Sequence, residues 1–256
     1  MDAIDTLQTQ TLALAGAQSL PALRDAARAS LRAGDGAVFP VQLLGFDDTR
    51  FTAEAFAAWR VACPDSVARS VRKRQAEYFF GRLAARRALA DAGLEAACAD
   101  IAIGPAREPR WPPGVIGSIS HTRSLAAAVA VAAGAHQGVG IDLEQVVDAH
   151  GRAALLNAVV DATELALLQA LASDRALDVL LTVVFSAKES LFKGAFAAVG
   201  RYFDFSAARL VAIDPAAGRL QLRLTQTLCP QFVAGQSCDV GFRRVDAGTV
   251  IGCFAW

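Results

Sequence analysis

The sequence lacks net charge. Its 25 lysine and arginine residues are balanced by 25 aspartate and glutamate residues. Proteins that bind nucleic acid or anionic membrane surfaces through a broad face usually carry a basic excess. The balance therefore argues against both kinds of partner, and any basic site must be local. Hydrophobic residues make up 54% of the chain, as expected of a globular protein and not of a disordered one.

Long apolar runs and metal-binding cysteine pairs are lacking too. The uncharged stretch 125–135 is far shorter than the roughly 20 residues that a membrane-spanning helix needs. Asp2 and Asp5 argue against a signal peptide. The five cysteines include no CxxC pair and no histidine lies at ligand spacing to a cysteine, which argues against zinc and favours reduced thiols. We therefore expect a cytoplasmic protein without membrane contact.

Lysine is scarce as well. Only Lys73, Lys188 and Lys193 are lysines, and the other basic residues are arginines. Two lysines within six positions of each other could arise by chance. In a chain that prefers arginine, however, they favour a local role, since lysine is a compact point charge suited to phosphate oxygens.

The hydrophobic pattern predicts an α+β protein. Residues 1–35 are rich in alanine and predict one or two short helices, and apolar residues at helical spacing predict a long helix over 66–92. Alternation and turn residues predict strands and hairpins in between. The strands are predicted at 38–46, 125–132 and 139–143, the other helices at 52–59, 153–171 and 176–198, and two hairpins at 210–224 and 240–254.

Two carboxylates lie on the strand predicted at 139–143 and just beyond it. Asp142 and Glu144 are two positions apart and so share one face of an extended chain. Their repulsion must be offset by solvent, arginine or a metal ion, and hard oxygen ligands of this kind suit Mg²⁺. The spacing alone also fits two solvated acids on an exposed strand face.

A third carboxylate follows in the helix predicted at 176–198. Glu189 and Lys193 are four positions apart, which makes them neighbours on one helix face. They can form a plain helix salt bridge. Alternatively, Glu189 joins a metal site or accepts a proton, while Lys188 and Lys193 contact phosphate oxygens.

A serine and a histidine end the segment GSISH at 117–121, after a Trp-Pro-Pro-Gly turn. Ser120 and His121 can bind a phosphate monoester at the end of a strand, or they can be structural. A nucleophilic serine is less favoured, because no GxSxG elbow is present.

Together these segments resemble the 4'-phosphopantetheinyl transferases, in particular the branch of the enterobactin synthase component D enzymes. The resemblance covers about residues 40 to 205 and keeps the order of the family's motifs. The matching segments are RQAEYFFGRLAAR at 74–86, the turn and GSISH at 111–121, GIDLE at 140–144, FSAKESLFK at 185–193 and FDF at 203–205.

The resemblance implies a fold and a set of roles. Two similar α+β subdomains related by a pseudo-two-fold axis, 1–135 and 136–256, would bind coenzyme A in the cleft between them, with the metal site in the second. Mg²⁺ would be held against the pyrophosphate by Asp142, Glu144 and Glu189. The coenzyme A contacts implied are Lys188 and Lys193 to phosphates, Ser120 and His121 to the 3'-phosphate, and Arg74, Arg82 and Arg107 to the nucleotide.

The resemblance also implies a reaction. A serine of an apo acyl or peptidyl carrier protein would attack the β-phosphate of coenzyme A and release 3',5'-ADP. Glu189 would take the serine proton and Lys193 would assist the leaving group, with Asp142 needed for the metal. Carriers of fatty-acid, polyketide and nonribosomal peptide or siderophore synthesis all remain open, and two halves in one chain favour a monomer.

Two alternatives remain. Another magnesium-dependent phosphoryl or nucleotidyl transferase would share the carboxylates and lysines, but it would normally carry a GxxxxGK[ST] loop, which this sequence lacks. A non-catalytic protein that binds coenzyme A or carriers would not need Asp142, Glu144, Glu189 and Lys193 together.

Overall fold

The chain folds into two compact units. The computed structural model describes residues 4–13, 20–94, 101–172 and 174–256, although nothing is described of the side chains of Asp174 and Arg175. The N-terminal unit comprises Gln8–Ser30 and Phe39–Gly134, and the C-terminal unit comprises Met1–Leu7, Leu31–Val38 and Ala135–Trp256. Both units combine helices with antiparallel strands, which confirms the predicted α+β class.

The N-terminal unit is a five-stranded sheet covered by one long helix, α3 (Arg72–Asp91). Phe46, Phe79 and Phe80 are fully buried in its core, and the rings of Phe46 and Phe80 stack 4.6 Å apart. The strands of this sheet are β1 (Thr9–Thr11), β2 (Leu23–Arg32), β3 (Val38–Phe46), β6 (Val115–His121) and β7 (Leu125–Ala132), and they lie in the order β1-β2-β3-β7-β6. The unit also contains a separate strand pair, β4 (Ala102–Ile103) and β5 (Pro109–Arg110), and the short helices α1 (Glu54–Ala58) and α2 (Asp65–Ala68).

The C-terminal unit repeats this plan with different connections. Its antiparallel sheet runs in the order β8-β12-β11-β10-β9, and the helix α6 (Asp174–Val199) packs on β8, β12 and β11. The strands are β8 (Val139–Gln145), β9 (Ala208–Asp214), β10 (Arg219–Leu224), β11 (Ser237–Asp246) and β12 (Thr249–Ala255), and the remaining helices are α4 (Ala149–Ala158) and α5 (Ala162–Leu171).

Glycine allows α6 to lie almost in backbone contact with β8. A β-carbon on Gly140 would stand 2.0 Å from the carbonyl oxygen of Ser190, and one on Gly194 would stand 3.0 Å from the amide nitrogen of Gly140. A hydrogen bond of 2.7 Å from Ser186 Oγ to the carbonyl of Asp142 ties helix to strand at the same level. The glycines before Asp142 thus serve packing, and they bring the acidic residues of α6 and β8 together.

The helices predicted for residues 1–35 are wrong where the structure describes this segment. Thr9–Thr11 and Leu23–Arg32 are paired strands, whereas residues 1–3 and 14–19 lie outside the described residues. Alanine favours helices in isolation, but here Ala26, Ala29 and Leu31 bury their side chains in a sheet, so tertiary packing overrides the local preference.

Most other predicted elements are confirmed, with shifts at their ends. The strands at 38–46 and 125–132 agree with β3 and β7. The helix predicted over 66–92 is divided into α2 and α3, and that over 153–171 into α4 and α5. In the second case Asp161 caps α5 by accepting from the amides of Thr163 and Glu164, which starts a new helix.

No helix among the described residues is both long and apolar enough to cross a membrane. Cys63, Cys229, Cys238 and Cys253 form no disulfide, and Cys98 lies outside the described residues.

We predict that Gly140→Ala lowers the free energy of unfolding by about 2 kcal/mol or more, because the added methyl group meets backbone atoms that cannot turn aside. Urea unfolding followed by circular dichroism measures the effect. Gly134→Ala is the control, since a β-carbon there meets nothing within 4 Å and should change stability by no more than about 0.5 kcal/mol. Equal effects of the two substitutions would contradict the packing role of Gly140.

Candidate active site

Four of the predicted residues gather where α6 crosses β8. Lys193 Nζ lies 2.5 Å from Asp142 Oδ1, and the Asp142 side chain is only 4% exposed. Glu144 follows two residues later on the strand, and Glu189 lies one turn before Lys193 on the helix. Both glutamates interact electrostatically with Asp142 and with Lys193. The structure thus brings Asp142, Glu144, Glu189 and Lys193 into one acidic cluster.

Burial and charge repulsion in this cluster raise the pKa of two carboxyls. Burial, followed by the neighbouring charge of Asp142, raises the pKa of Glu144 to about 8, with Glu189 adding to the effect and Lys193 opposing it. Burial and Asp142 also raise the pKa of Glu189. One lysine therefore does not neutralise three carboxylates, and a further cation would be bound favourably here.

The donors fit a magnesium ion by their chemistry. They are three carboxylates, the hard oxygen ligands that Mg²⁺ prefers, and they carry uncompensated negative charge. As the side chains stand, however, no three histidine, cysteine or carboxylate groups among the described residues are gathered closely enough to hold a metal ion. Asp142 is paired with Lys193 instead. The ligand set is thus chemically suitable, but its present arrangement is not a coordination shell.

Lys188 does not join this cluster. It is 3% exposed and forms a buried ion pair of 2.7 Å with Glu164. It also donates to the carbonyl of Val159 at 2.6 Å and to that of Phe205 at 3.3 Å. Burial lowers the pKa of Lys188 and Glu164 opposes the shift. The predicted contact with phosphate is not supported, because these three acceptors match the three N–H bonds of the ammonium group.

A narrow slot opens beside Glu189. It has a volume of about 10 Å³, room for about one water molecule. Its lining comprises the aromatic rings of Phe192, Tyr202, Phe203 and Phe205 together with Lys188, Glu189, Asp204 and Ala208. The segment FDF shapes this wall, because Asp204 accepts a hydrogen bond from the Ser206 amide and so begins a short 3-10 helix. The slot therefore offers an apolar surface next to a carboxylate of the acidic cluster.

The second candidate site is an open pocket of about 510 Å³ in the N-terminal unit. Its polar lining includes Arg74, Arg82, Arg107 and His121, which are four of the residues predicted to bind coenzyme A. Arg74 lies on α3, and His121 is the last residue of β6. Gly81 allows the helix and strand to approach, since a β-carbon there would be 3.1 Å from Ile119.

Arg74 and His121 are held together inside this pocket. Arg74 Nη1 donates to His121 Nε2 at 3.0 Å, since a guanidinium can only donate. The carboxylate of Glu77 lies 3.5 Å from Arg74 Nη1 and 3.9 Å from His121 Nδ1. Glu77, which the sequence analysis did not single out, thus helps to orient the side chains of Arg74 and His121. The sequence could have indicated this contact, because Glu77 lies three residues after Arg74 on a predicted helix and residues at that spacing are neighbours.

Arg82 is fixed differently from Arg74. Its Nε donates to the carbonyl of Ile101 at 2.7 Å, and its guanidinium carbon lies 4.6 Å from the centre of the Tyr78 ring. Burial lowers its pKa. Arg107 lies in the turn between β4 and β5 with a φ of 70°. Arg82 and Arg107 both line the pocket, so the structure brings them into the same pocket as Arg74 and His121.

Ser120 lies elsewhere. Alternate residues of β6 point to opposite faces of the sheet, so Ile119 and His121 line the pocket while Ser120 is buried on the other face at 4% exposure. The predicted pair of phosphate ligands is thus reduced to His121. This separation of Ser120 from His121 could have been predicted from the sequence, because adjacent residues of a strand point to opposite faces of the sheet.

Two family models and several curated relatives match this chain. The model of the 4'-phosphopantetheinyl transferase N-terminal domain matches residues 64–132, and the model of the 4'-phosphopantetheinyl transferase superfamily matches residues 138–243. The chain is 37% identical over 183 residues to 4'-phosphopantetheinyl transferase Svp of Streptomyces mobaraensis, covering 70% of this chain and 68% of that one. The chain therefore belongs to the 4'-phosphopantetheinyl transferase superfamily, which confirms the resemblance.

Other relatives match shorter segments. Enterobactin synthase component D of Salmonella typhi is 37% identical over 163 residues, which is 64% of this chain and 63% of that protein. PptT of Mycobacterium tuberculosis, a 4'-phosphopantetheinyl transferase, is 34% identical over 147 residues, or 56% and 61%. For component D of Salmonella typhimurium the matched share of the relative is 48%. The chain thus spans about half to two thirds of these component D relatives.

We predict that the stability of the metal-free protein falls as the pH rises from about 5 to about 8. Glu144 has a folded pKa of about 8, above its ordinary value of 4.5, so the folded state binds more protons in this range. Its contribution is present below pH 4.5 and is lost as the pH passes 8, at a cost on the order of a few kcal/mol. Urea unfolding in EDTA at several pH values measures this slope.

Glu144→Gln should flatten the slope, because the amide carries no charge at any of these pH values. Glu54→Gln is the control, since Glu54 is exposed and its pKa is lowered, which keeps it ionised throughout the range. A wild-type slope in Glu144→Gln would show that Glu144 does not hold the proton.

Proposed function

We propose that this protein transfers the 4'-phosphopantetheine moiety of coenzyme A to a serine of an apo acyl or peptidyl carrier protein, in a magnesium-dependent reaction that releases 3',5'-ADP. The observation that carries the proposal is the acidic cluster of α6 and β8. It unites three carboxylates and Lys193 within the segment that matches the superfamily.

The acidic cluster can meet the pyrophosphate of coenzyme A through an ion held by Asp142, Glu144 and Glu189. A bound Mg²⁺ would neutralise charge that builds on the pyrophosphate during transfer. The side chain of Lys193 is 26% exposed, so it can turn from Asp142 to a phosphate oxygen. There it stabilises the leaving 3',5'-ADP as a positive point charge.

The serine proton requires a base. In the transfer, the serine oxygen forms a bond to the β-phosphorus, the bond from that phosphorus to the bridging oxygen breaks, and the serine proton passes to a carboxylate. Glu189 is our choice, because its raised pKa makes it a stronger base than an ordinary glutamate and it borders the aromatic slot. Glu144 has the same property, and the two can divide the roles of ligand and base in either way.

The basic pocket of the N-terminal unit fits the 3'-phosphoadenosine end of coenzyme A. Arg74 has further N–H groups that can donate to a phosphate monoester, and His121 Nε2 can donate to it once it releases Arg74 and is protonated. Charge-assisted hydrogen bonds of this kind are stronger than neutral ones. Arg82 and Arg107 add positive charge to the same pocket.

Intact-mass spectrometry tests the activity. Purified protein with Mg²⁺ and coenzyme A should add about 340 Da to an apo carrier protein, the mass of one phosphopantetheine group on serine. Asp142→Asn should abolish the gain, and Asp239→Asn should not, because asparagine can still accept the hydrogen bond from Gln221. No gain on any of several apo carriers, under conditions where a known transferase works, would reject the proposal. A gain without Mg²⁺ would reject the metal requirement.

The basic pocket gives a separate prediction. Wild-type protein should bind coenzyme A more tightly than 3'-dephospho-coenzyme A, and Arg74→Met or His121→Ala should weaken coenzyme A binding by about 10- to 100-fold, with little effect on the dephospho form, since a charged hydrogen bond is lost. Calorimetric titration measures both affinities. Arg72→Met is the control, because Arg72 lies on the same helix but outside the pocket. If the substitutions weakened the binding of coenzyme A and of 3'-dephospho-coenzyme A equally, the 3'-phosphate would not bind in this pocket.

A further inference from the structure

The ion pair between Lys188 and Glu164 is the most deeply buried one among the described residues. Both side chains are 3% exposed, and their charged atoms are 2.7 Å apart. Removing two charges from water is costly, so such a pair persists only when its other hydrogen bonds are satisfied. Those bonds are present on both sides of this pair.

Glu164 connects three elements. Its Oε1 accepts a hydrogen bond of 2.7 Å from the amide of Leu210 on β9, in addition to the contact with Lys188. Its Oε2 accepts one of 2.8 Å from the amide of Asp161 at the start of α5. Lys188 in turn reaches the carbonyls of Val159, just after α4, and Phe205 in the 3-10 helix before β9. The pair therefore ties α6 to the end of α4, the start of α5 and the start of β9.

The position of this tie along α6 matters for the acidic cluster. Lys188 directly precedes Glu189, and the opposite side of the same turn is fixed to β8 through Ser186 and the close contact at Gly140. Glu189 thus lies between two anchors. Because a helical side chain ends roughly 6 Å from the axis, a rotation of only about 20° would move its carboxylate by about 2 Å, more than a ligand site or a proton transfer tolerates.

We propose that Lys188 and Glu164 form a positioning pair that fixes the rotation of α6 and so places Glu189 against Asp142 and Glu144, and that Lys188 does not contact the substrate. This inference rests on the proposed function, since it concerns the same acidic cluster. The two lysines of α6 then have different roles. Lys193 binds the reacting phosphates, whereas Lys188 fixes the position of the helix.

Four variants test the pair: Lys188→Met, Glu164→Gln, the double variant of both, and the milder Glu164→Asp, which keeps the charge. Each single neutral substitution leaves one buried charge without its partner, so it should raise the Mg²⁺ concentration for half-maximal transfer at least 10-fold and lower kcat. Removing both charges should recover most of the lost melting temperature, because a neutral buried pair avoids that cost. It should leave the Mg²⁺ requirement raised, because the bonds from Lys188 that fix α6 are still missing. Calorimetric titration of Mg²⁺ into each protein provides a readout independent of turnover.

The ratio of the affinities for coenzyme A and 3'-dephospho-coenzyme A should stay within 2-fold of wild type in all four variants. Asp178→Asn is the matched control. It breaks the ion pair between α6 and Arg152, in which Arg152 Nη2 lies 2.7 Å from Asp178 Oδ2, ten residues before Lys188. This variant should lower the melting temperature without changing the Mg²⁺ requirement.

Two results would overturn the inference. If the double variant recovers the wild-type melting temperature but keeps the loss in coenzyme A affinity of Lys188→Met, then Lys188 contacts the substrate directly. If the single variants and Glu164→Asp lose stability with an unchanged Mg²⁺ requirement, as the control does, then the pair only stabilises the fold. Absence of transfer by the wild-type protein is a different result, because it rejects the proposed function and not the pairing.

Discussion

The contact between α6 and β8 is the constraint on which the acidic cluster depends. Gly140 and Gly194 let the two backbones approach until no β-carbon fits between them, and Ser186 bonds to the strand at the same level. This closeness places Glu189 within electrostatic reach of Asp142. The glycines and the carboxylates of the segment 138–144 therefore act together. The glycines allow the short distance between α6 and β8, and this distance brings the carboxylates close to one another.

That distance creates an electrostatic conflict that the fold resolves only in part. Three carboxylates meet one lysine, and the pKa of Glu144 rises to about 8 because burial and its neighbours disfavour a further negative charge. A protein selected for stability alone would separate these groups or pair each of them. A cluster that keeps excess negative charge is suited to bind a cation together with its ligand, and this links the energetics of the C-terminal unit to its proposed chemistry.

Much of the cluster could be predicted from the sequence, because it depends on local periods. The strand period of two joined Asp142 and Glu144, and the helix spacing of four joined Glu189 and Lys193. The helix period also predicts that Lys188 lies apart from the cluster. Its side chain is about 140° around the helix from that of Lys193. The strands at 9–11 and 23–32 could not be predicted in this way, because pairing with distant strands decided them against the preference of alanine.

The residues that sequence analysis missed share a physical role. Glu77 and Glu164 are buried acids, one beside Arg74 and His121 and the other beside Lys188. A cation on a flexible side chain is held in a fixed direction by a carboxylate that pairs with it. Such supporting acids follow no motif, because their partners come from other elements of the fold. The sequence can thus indicate candidate cations, whereas the folded chain determines which acids keep them in place.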